Sequence, residues 1–191
     1  MRIAVSGSHS TGKSTLIAAF LARRPRYRHE PEAFELLADD VELTPSEGPT
    51  AEGLQALLEH TMSALAFHES GALVVFERSP VDYLAYASAS LSWPEGCAAG
   101  FLQTFIPQVR RSLRGLDLIA FVPVSSAGPE SRIGEDPGFR QRVDEALRRA
   151  LVDDDHGLFE DQGSPSVVEL PPDPDQQVTE LIRLTAPGPS V

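Results

Sequence analysis

The sequence predicts an α/β fold with five strands in a mostly parallel sheet flanked by helices. Three observations carry that expectation. Short apolar runs alternate with stretches of helical periodicity along the 191 residues. Runs such as Ala72-Leu73-Val74-Val75-Phe76 and Leu118-Ile119-Ala120-Phe121-Val122 are apolar throughout, as strands covered on both faces are. The first run, Ile3-Ala4-Val5-Ser6, passes through a glycine-bearing turn straight into a helical pattern.

The elements follow in order. A strand over 2–6 leads to a helix over 13–23. A short strand around Tyr27–His29 ends at Glu30-Pro31, and a short helix spans about 32–38. The acidic stretch 39–49 holds Pro and Gly and reads as a loop. Thr50 can cap the next helix, whose Leu54, Leu57, Leu58, Thr61 and Leu65 share a face and which Gly71 can stop. The strand over 72–76 delivers Glu77-Arg78-Ser79-Pro80, and a helix follows over 82–89. Trp93-Pro94 marks a loop before a helix over 96–113, with Pro107 as a kink. After the strand over 118–122, residues 124–136 read as a surface loop. Asp136-Pro137 starts a helix with Phe139, Val143, Leu147, Ala150 and Leu151 inward. A strand over 167–170 and a helix over 175–184 complete one domain over 1–186, with 187–191 as a tail.

Composition narrows the function classes. Asp and Glu number 28 against 16 Lys and Arg, a net charge of −12. An acidic surface of that size argues against nucleic acid or an anionic membrane as partner, because phosphate backbones are held mainly by Lys and Arg. It leaves room for a nucleotide, which a few local donors can bind. The one cysteine, Cys97, allows no internal disulfide and fits a reducing compartment. No apolar run reaches membrane-spanning length, and the first strand leaves no room for a signal peptide, so a cytoplasmic protein is expected.

The segment Gly7-Ser8-His9-Ser10-Thr11-Gly12-Lys13-Ser14, followed by Thr15, has the form G-x-x-x-x-G-K-S between a strand and a helix. Polyphosphate is strongly hydrated, so a protein must replace its water with many donors at once. Gly7 and Gly12 let the backbone turn so that consecutive N–H groups face inward. The helix N-terminus favours an anion. Lys13 adds a cation for the β- and γ-phosphates, and the Ser14 hydroxyl can ligate Mg²⁺. His9 stands at a free position, facing solvent or substrate. The expected cofactors are therefore ATP and Mg²⁺.

Open parallel sheets bind ligands beyond the carboxyl ends of their strands. Lys13, Glu30 and the pair Glu77-Arg78 fall at three such ends. Glu30 has the chemistry of a general base for an attacking hydroxyl. Glu77 ends an apolar run and can hold Mg²⁺, and Arg78 can neutralise phosphate or substrate charge. Asp82, one turn on, can anchor Arg78 or bind a substrate hydroxyl. A closing lid would add positive charge and exclude water. It is placed over about 124–142, with Arg132 as its arginine and Arg140 and Arg142 as further candidates. Asp136 with Arg140, and Asp144 with Arg148, have ordinary surface ion-pair spacing.

Gly7 through Leu16, together with Glu77-Arg78-Ser79-Pro80-Val81-Asp82-Tyr83-Leu84, resembles the bacterial AAA-type ATP-binding proteins related to the ribosylnicotinamide kinase domain. The skeleton is also similar to deoxynucleoside kinases, with their phosphate loop, Glu-Pro after strand two, Glu-Arg-Ser after strand three and arginine-bearing lid. The resemblance implies a P-loop NTPase fold of the nucleoside or nucleotide kinase kind. It gives Glu30 the base role, Glu77 the metal role, Arg78 the phosphate role and Arg132 the lid role. The expected activity is transfer of the γ-phosphoryl of ATP to a hydroxyl of a nucleoside or nucleoside-like acceptor. The alternative is a P-loop ATPase serving as a regulatory switch. The expected partner is a small-molecule phosphate acceptor, with a homodimer left open.

Overall fold

A computed structural model describes residues 1–37, 43–44, 48–124, 136–160 and 162–186. Five strands form one sheet: β1 (Arg2–Ser6), β2 (Arg28–Glu30), β5 (Val74–Glu77), β6 (Leu118–Phe121) and β7 (Ser166–Glu169). Their order is β2-β5-β1-β6-β7, and every pair is parallel. The helices are α1 (Lys13–Arg23), α2 (Ala33–Leu37), α3 (Ala51–Phe67), α4 (Pro80–Ala89), α5 (Cys97–Leu113), α6 (Pro137–Leu151) and α7 (Pro174–Leu184). Between α2 and α3, β3 (Leu43–Thr44) pairs antiparallel with β4 (Gly48–Pro49).

The alternation of side chains along each strand divides the core in two. Ile3, Val5, Val75 and Leu118 face α1 and α7, where Phe20 and Leu181 are fully buried. Ala4, Phe76, Ile119 and Phe121 face the opposite layer, built from α3, α4, α5 and α6. β1 is central, with β2 and β5 on one side and β6 and β7 on the other. The connection from β1 runs to the β2 side and that from β6 to the β7 side, which opens a crevice between the carboxyl ends of β1 and β6. The phosphate loop occupies that position.

Local chemistry sets the element starts. Thr50 accepts from the Gly53 N–H at 3.1 Å and caps α3, as its side chain predicts. Asp136 accepts from the Gly138 N–H at 2.8 Å and starts α6 with Pro137 at its first position. Three expectations change. The stretch 39–49, expected as a loop, contains the two-strand hairpin β3–β4 in its described part. The helix expected from Asp82 begins at Pro80, because Ser79 and Asp82 form a reciprocal capping box with Pro at the helix start. The α3 helix ends at Phe67, ahead of Gly71, which adopts φ +87° in the following turn. The 187–191 tail lies outside the described residues. Among the described residues, no helix is long and apolar enough to cross a membrane.

Candidate functional site

The loop between β1 and α1 packs tightly against β6. A Cβ on Gly7 would meet the Val122 carbonyl oxygen at 2.6 Å, so no larger residue fits there. Ser10 and Gly12 take positive φ, 54° and 90°, and these left-handed residues curl the chain around the start of α1. Ser8 supplies the carbonyl at the loop's centre. It accepts from Lys13 Nζ at 2.7 Å and from Thr11 Oγ1 at 3.0 Å. The Lys13 amine is thus laid across the loop.

Burial lowers the Lys13 pKa to about 8, helped by the nearby Arg78 guanidinium and opposed by Glu32, Asp82 and Glu77. A bound polyphosphate would favour the ammonium form and raise that pKa. Phosphate binding should then take up a proton wherever free Lys13 is neutral. The affinity for ATP should fall about eightfold between pH 7.5 and pH 9, as protonated Lys13 is depleted. Calorimetry in buffers of different ionisation enthalpy checks this. Lys13→Arg should bind more weakly and show no such slope, since arginine stays charged.

Arg78 joins the loop to the rest of the site. Its φ is 77°, a left-handed conformation uncommon for a residue with a side chain. Its N–H donates to the Val5 carbonyl at 3.1 Å, prolonging the sheet ladder. The guanidinium is buried and donates to the Gly7 carbonyl at 2.9 Å, the Tyr86 hydroxyl at 3.2 Å and the Glu32 carboxylate. It also lies 5.0 Å from the Tyr86 ring centre. Burial opposes its charge, but Glu32, Tyr86 and Asp82 outweigh burial and hold its pKa well above the usual value.

Asp82, expected to anchor Arg78 or to bind a substrate hydroxyl, is wholly buried and lies beside Arg78. It accepts from the Gly7 N–H at 3.0 Å, the Ser79 N–H at 2.9 Å and the Ser79 hydroxyl at 3.0 Å, and it faces Arg78 at 3.4 Å. Its role is to anchor the first glycine of the loop.

The acid at the end of β2 also differs from expectation. Glu30 pairs with His68 Nε2 at 3.0 Å, and His68 packs edge-on against Phe76. Glu30 is directed to that face of the sheet because it stands in register with Phe76. The acid that reaches Arg78 is Glu32, two residues further along. Burial pushes its carboxyl up, but Arg78 and then Lys13 outweigh burial and the net shift is downward. The charges felt at Lys13 are those of Arg78, Glu32, Asp82 and Glu77. Sequence reasoning missed Glu32, although Glu30-Pro31-Glu32 held a signal. The ladder ends at Glu30, so the second acid lies past the end of the strand and is released from its pleat.

Ser14 and Glu77 come together. The Ser14 hydroxyl donates to Glu77 Oε1 at 2.7 Å, and His29 Nε2 lies 3.7 Å from Glu77 Oε2. This gives two hard oxygen donors beside the loop. Among the described residues, no group of three or more His, Cys, Asp or Glu could hold a metal. That sparse donor set fits Mg²⁺, which keeps several waters and takes phosphate oxygens besides one or two protein ligands.

Of the lid candidates, Arg132 lies outside the described residues, as do 125–131 and 133–135. Arg140 is buried against the phosphate loop and donates to the Ser10 carbonyl at 2.8 Å. Asp136, expected beside Arg140, instead pairs with Arg142 at 3.6 Å, and Arg142 also donates to the Ala89 carbonyl. Asp144, expected on a solvated face, is buried and accepts from the Val124 N–H at 2.8 Å. Arg148 grips Glu169 with two bonds of 2.6 and 2.9 Å. His9 bonds Tyr86 through both its N–H and Nδ1, and its ring stacks on Phe139 with centres 6.0 Å apart. Thr15 follows on the exposed first turn of α1.

Solved structures share this architecture. Deoxyadenosine kinase from M. mycoides with bound dATP superposes with a TM-score of 0.68 at 10% identity, covering 96% of this chain and 98% of that one. Thymidylate kinase from Candida albicans gives 0.59 at 15% identity, over 96% of this chain and 89% of that one. The NadR protein in complex with NR gives 0.59 at 23% identity, over 88% of this chain but only 43% of NadR. At these identities the likeness is one of fold, the P-loop fold of nucleoside and nucleotide kinases. No curated protein matches the chain. Residues 2–167, which include the phosphate loop, nonetheless match a family model, and the chain belongs to that family, the AAA domain.

Proposed function

We propose that the protein is an ATP-dependent small-molecule kinase that transfers the γ-phosphoryl group to a hydroxyl of a nucleoside or nucleoside-like acceptor. One observation carries this reading: Arg78 bonds the phosphate loop through Gly7 and the carboxylate of Glu32 with the same guanidinium. A base beside a phosphate cradle is what phosphoryl transfer to a hydroxyl needs, and simple nucleotide binding does not need it.

The loop amides and Lys13 hold the triphosphate and orient its terminal group. Ser14 and Glu77 would hold Mg²⁺, which when bound neutralises charge on the phosphates. Glu32 accepts the proton of the attacking hydroxyl at a carboxylate oxygen. Its lowered pKa suits a loose transition state, in which the acceptor needs little prior activation. Arg78 keeps Glu32 ionised and fixed. Glu30 takes no part, being engaged by His68.

A coupled ATP-consumption screen over nucleosides, nicotinamide riboside and small sugars tests the proposal. Turnover that rises with one acceptor class, with a phosphorylated product visible by mass spectrometry, is the expected result. Turnover that no acceptor stimulates would sink it in favour of an ATPase switch.

A further inference from the structure

The tip of the phosphate loop, His9–Ser10, is gripped from two helices that lie outside the motif. From α4, the Tyr86 hydroxyl accepts from the His9 N–H at 3.0 Å and meets His9 Nδ1 at 3.2 Å. From α6, Arg140 donates to the Ser10 carbonyl at 2.8 Å. Both side chains are buried. Phe139, beside Arg140, stacks on the His9 ring and meets the Tyr86 ring edge-on at 5.8 Å.

All peptide bonds here are trans, so the N–H and C=O of one peptide unit point in opposite directions. Holding the His9 N–H toward α4 therefore turns the Ser8 carbonyl the other way, where it receives Lys13 Nζ. Holding the Ser10 carbonyl toward α6 turns the Thr11 N–H away from α6. Ser10 keeps a left-handed φ of 54° without being glycine, and the bond from Arg140 to its carbonyl favours that geometry. We propose that Tyr86 and Arg140 are positioning residues that preset the tip of the loop, Tyr86 through the His9 N–H and Arg140 through the Ser10 carbonyl. The loop then has its anion-binding shape before a triphosphate arrives. The inference rests on reading the loop as a triphosphate site, but not on transfer to any acceptor.

Preorganisation of this kind raises affinity by removing the ordering cost at binding. The sequence contains one lysine, Lys13, so ¹⁵N-lysine labelling gives a single backbone amide signal, placed in the loop itself. In the nucleotide-free wild type this signal should be one sharp resonance. In Arg140→Met and in Tyr86→Phe it should shift or broaden. Both variants should bind ATP and inorganic tripolyphosphate, each with Mg²⁺, about tenfold more weakly and by the same factor for the two probes. Arg140→Lys should recover part of the loss. If Arg140→Met does not fold, Tyr86→Phe and Arg140→Lys carry the test, since each keeps the buried volume.

An unchanged lysine signal, or unchanged affinities, in the folded variants would overturn the clamp. A loss for ATP but not for tripolyphosphate would also overturn it, because the effect would then lie at the base or ribose. Wild-type protein that binds neither probe would overturn the triphosphate reading itself, and that outcome is visible before any variant is made.

Discussion

Glu32→Gln should lower acceptor-dependent ATP turnover by about 10²–10⁴-fold, the range that a positioned general base contributes. Glu30→Gln should leave turnover within a few fold of wild type. The two acids differ by one proline in sequence, yet they belong to different environments. Glu32 is bonded to Arg78, which also holds Gly7 of the phosphate loop. Glu30 is bonded to His68 on the face that carries Phe76. Glutamine keeps the size and one acceptor oxygen of glutamate but cannot take a proton, so the Arg78 contact is partly kept while the chemistry is lost. ATP affinity should therefore change much less than turnover, and separate calorimetry and single-turnover measurements would show it. The reverse outcome, with Glu30→Gln inactive and Glu32→Gln active, would return the base role to Glu30.

Asp82→Ala should destabilise the protein by about 3–5 kcal/mol, the usual cost of removing one partner from a buried ion pair. For a chain of this size that corresponds to a fall in melting temperature of roughly 6–20 °C. Asp82 is fully buried and serves four donors: the Gly7 N–H, the Ser79 N–H, the Ser79 hydroxyl and Arg78. Removing it strands these donors away from water and dissolves the capping box that starts α4. Gly7 would also lose its anchor, so ATP affinity should fall with stability. Asp82→Asn keeps an acceptor oxygen and should lose less. A variant as stable as wild type in thermal unfolding would show that the network can be replaced by solvent.

Much of the fold was legible because its signals are local. Continuous apolar runs marked β1, β5 and β6, and the side chains of Thr50 and Asp136 marked the starts of α3 and α6 where the structure has them. The reversal at Gly7-x-x-x-x-Gly12-Lys13-Ser14 was equally local, because glycine and a helix start are properties of adjacent residues. The hairpin β3–β4 was not legible, since two-residue strands carry no periodicity to read. The spacing of Asp136 and Asp144 on α6 suggested pairs along the helix. Arg140 and Arg148 instead reached Ser10 and Glu169, which are distant in sequence, and Asp136 paired with Arg142.

The α/β class, the phosphate loop and the strand ends at which chemistry would gather could be read from the residues alone. Those features depend on residue type, on period and on chain neighbours. Which charges meet depended on the folded arrangement. It set Glu30 against His68 and Glu32 against Arg78, and it buried Asp82 against the Gly7 N–H. The reason is geometric. The strand pleat and the β2-β5 register set Glu30 on the Phe76 face, whereas Glu32 stands past the strand, in the Pro31 turn into α2, where the pleat no longer governs direction.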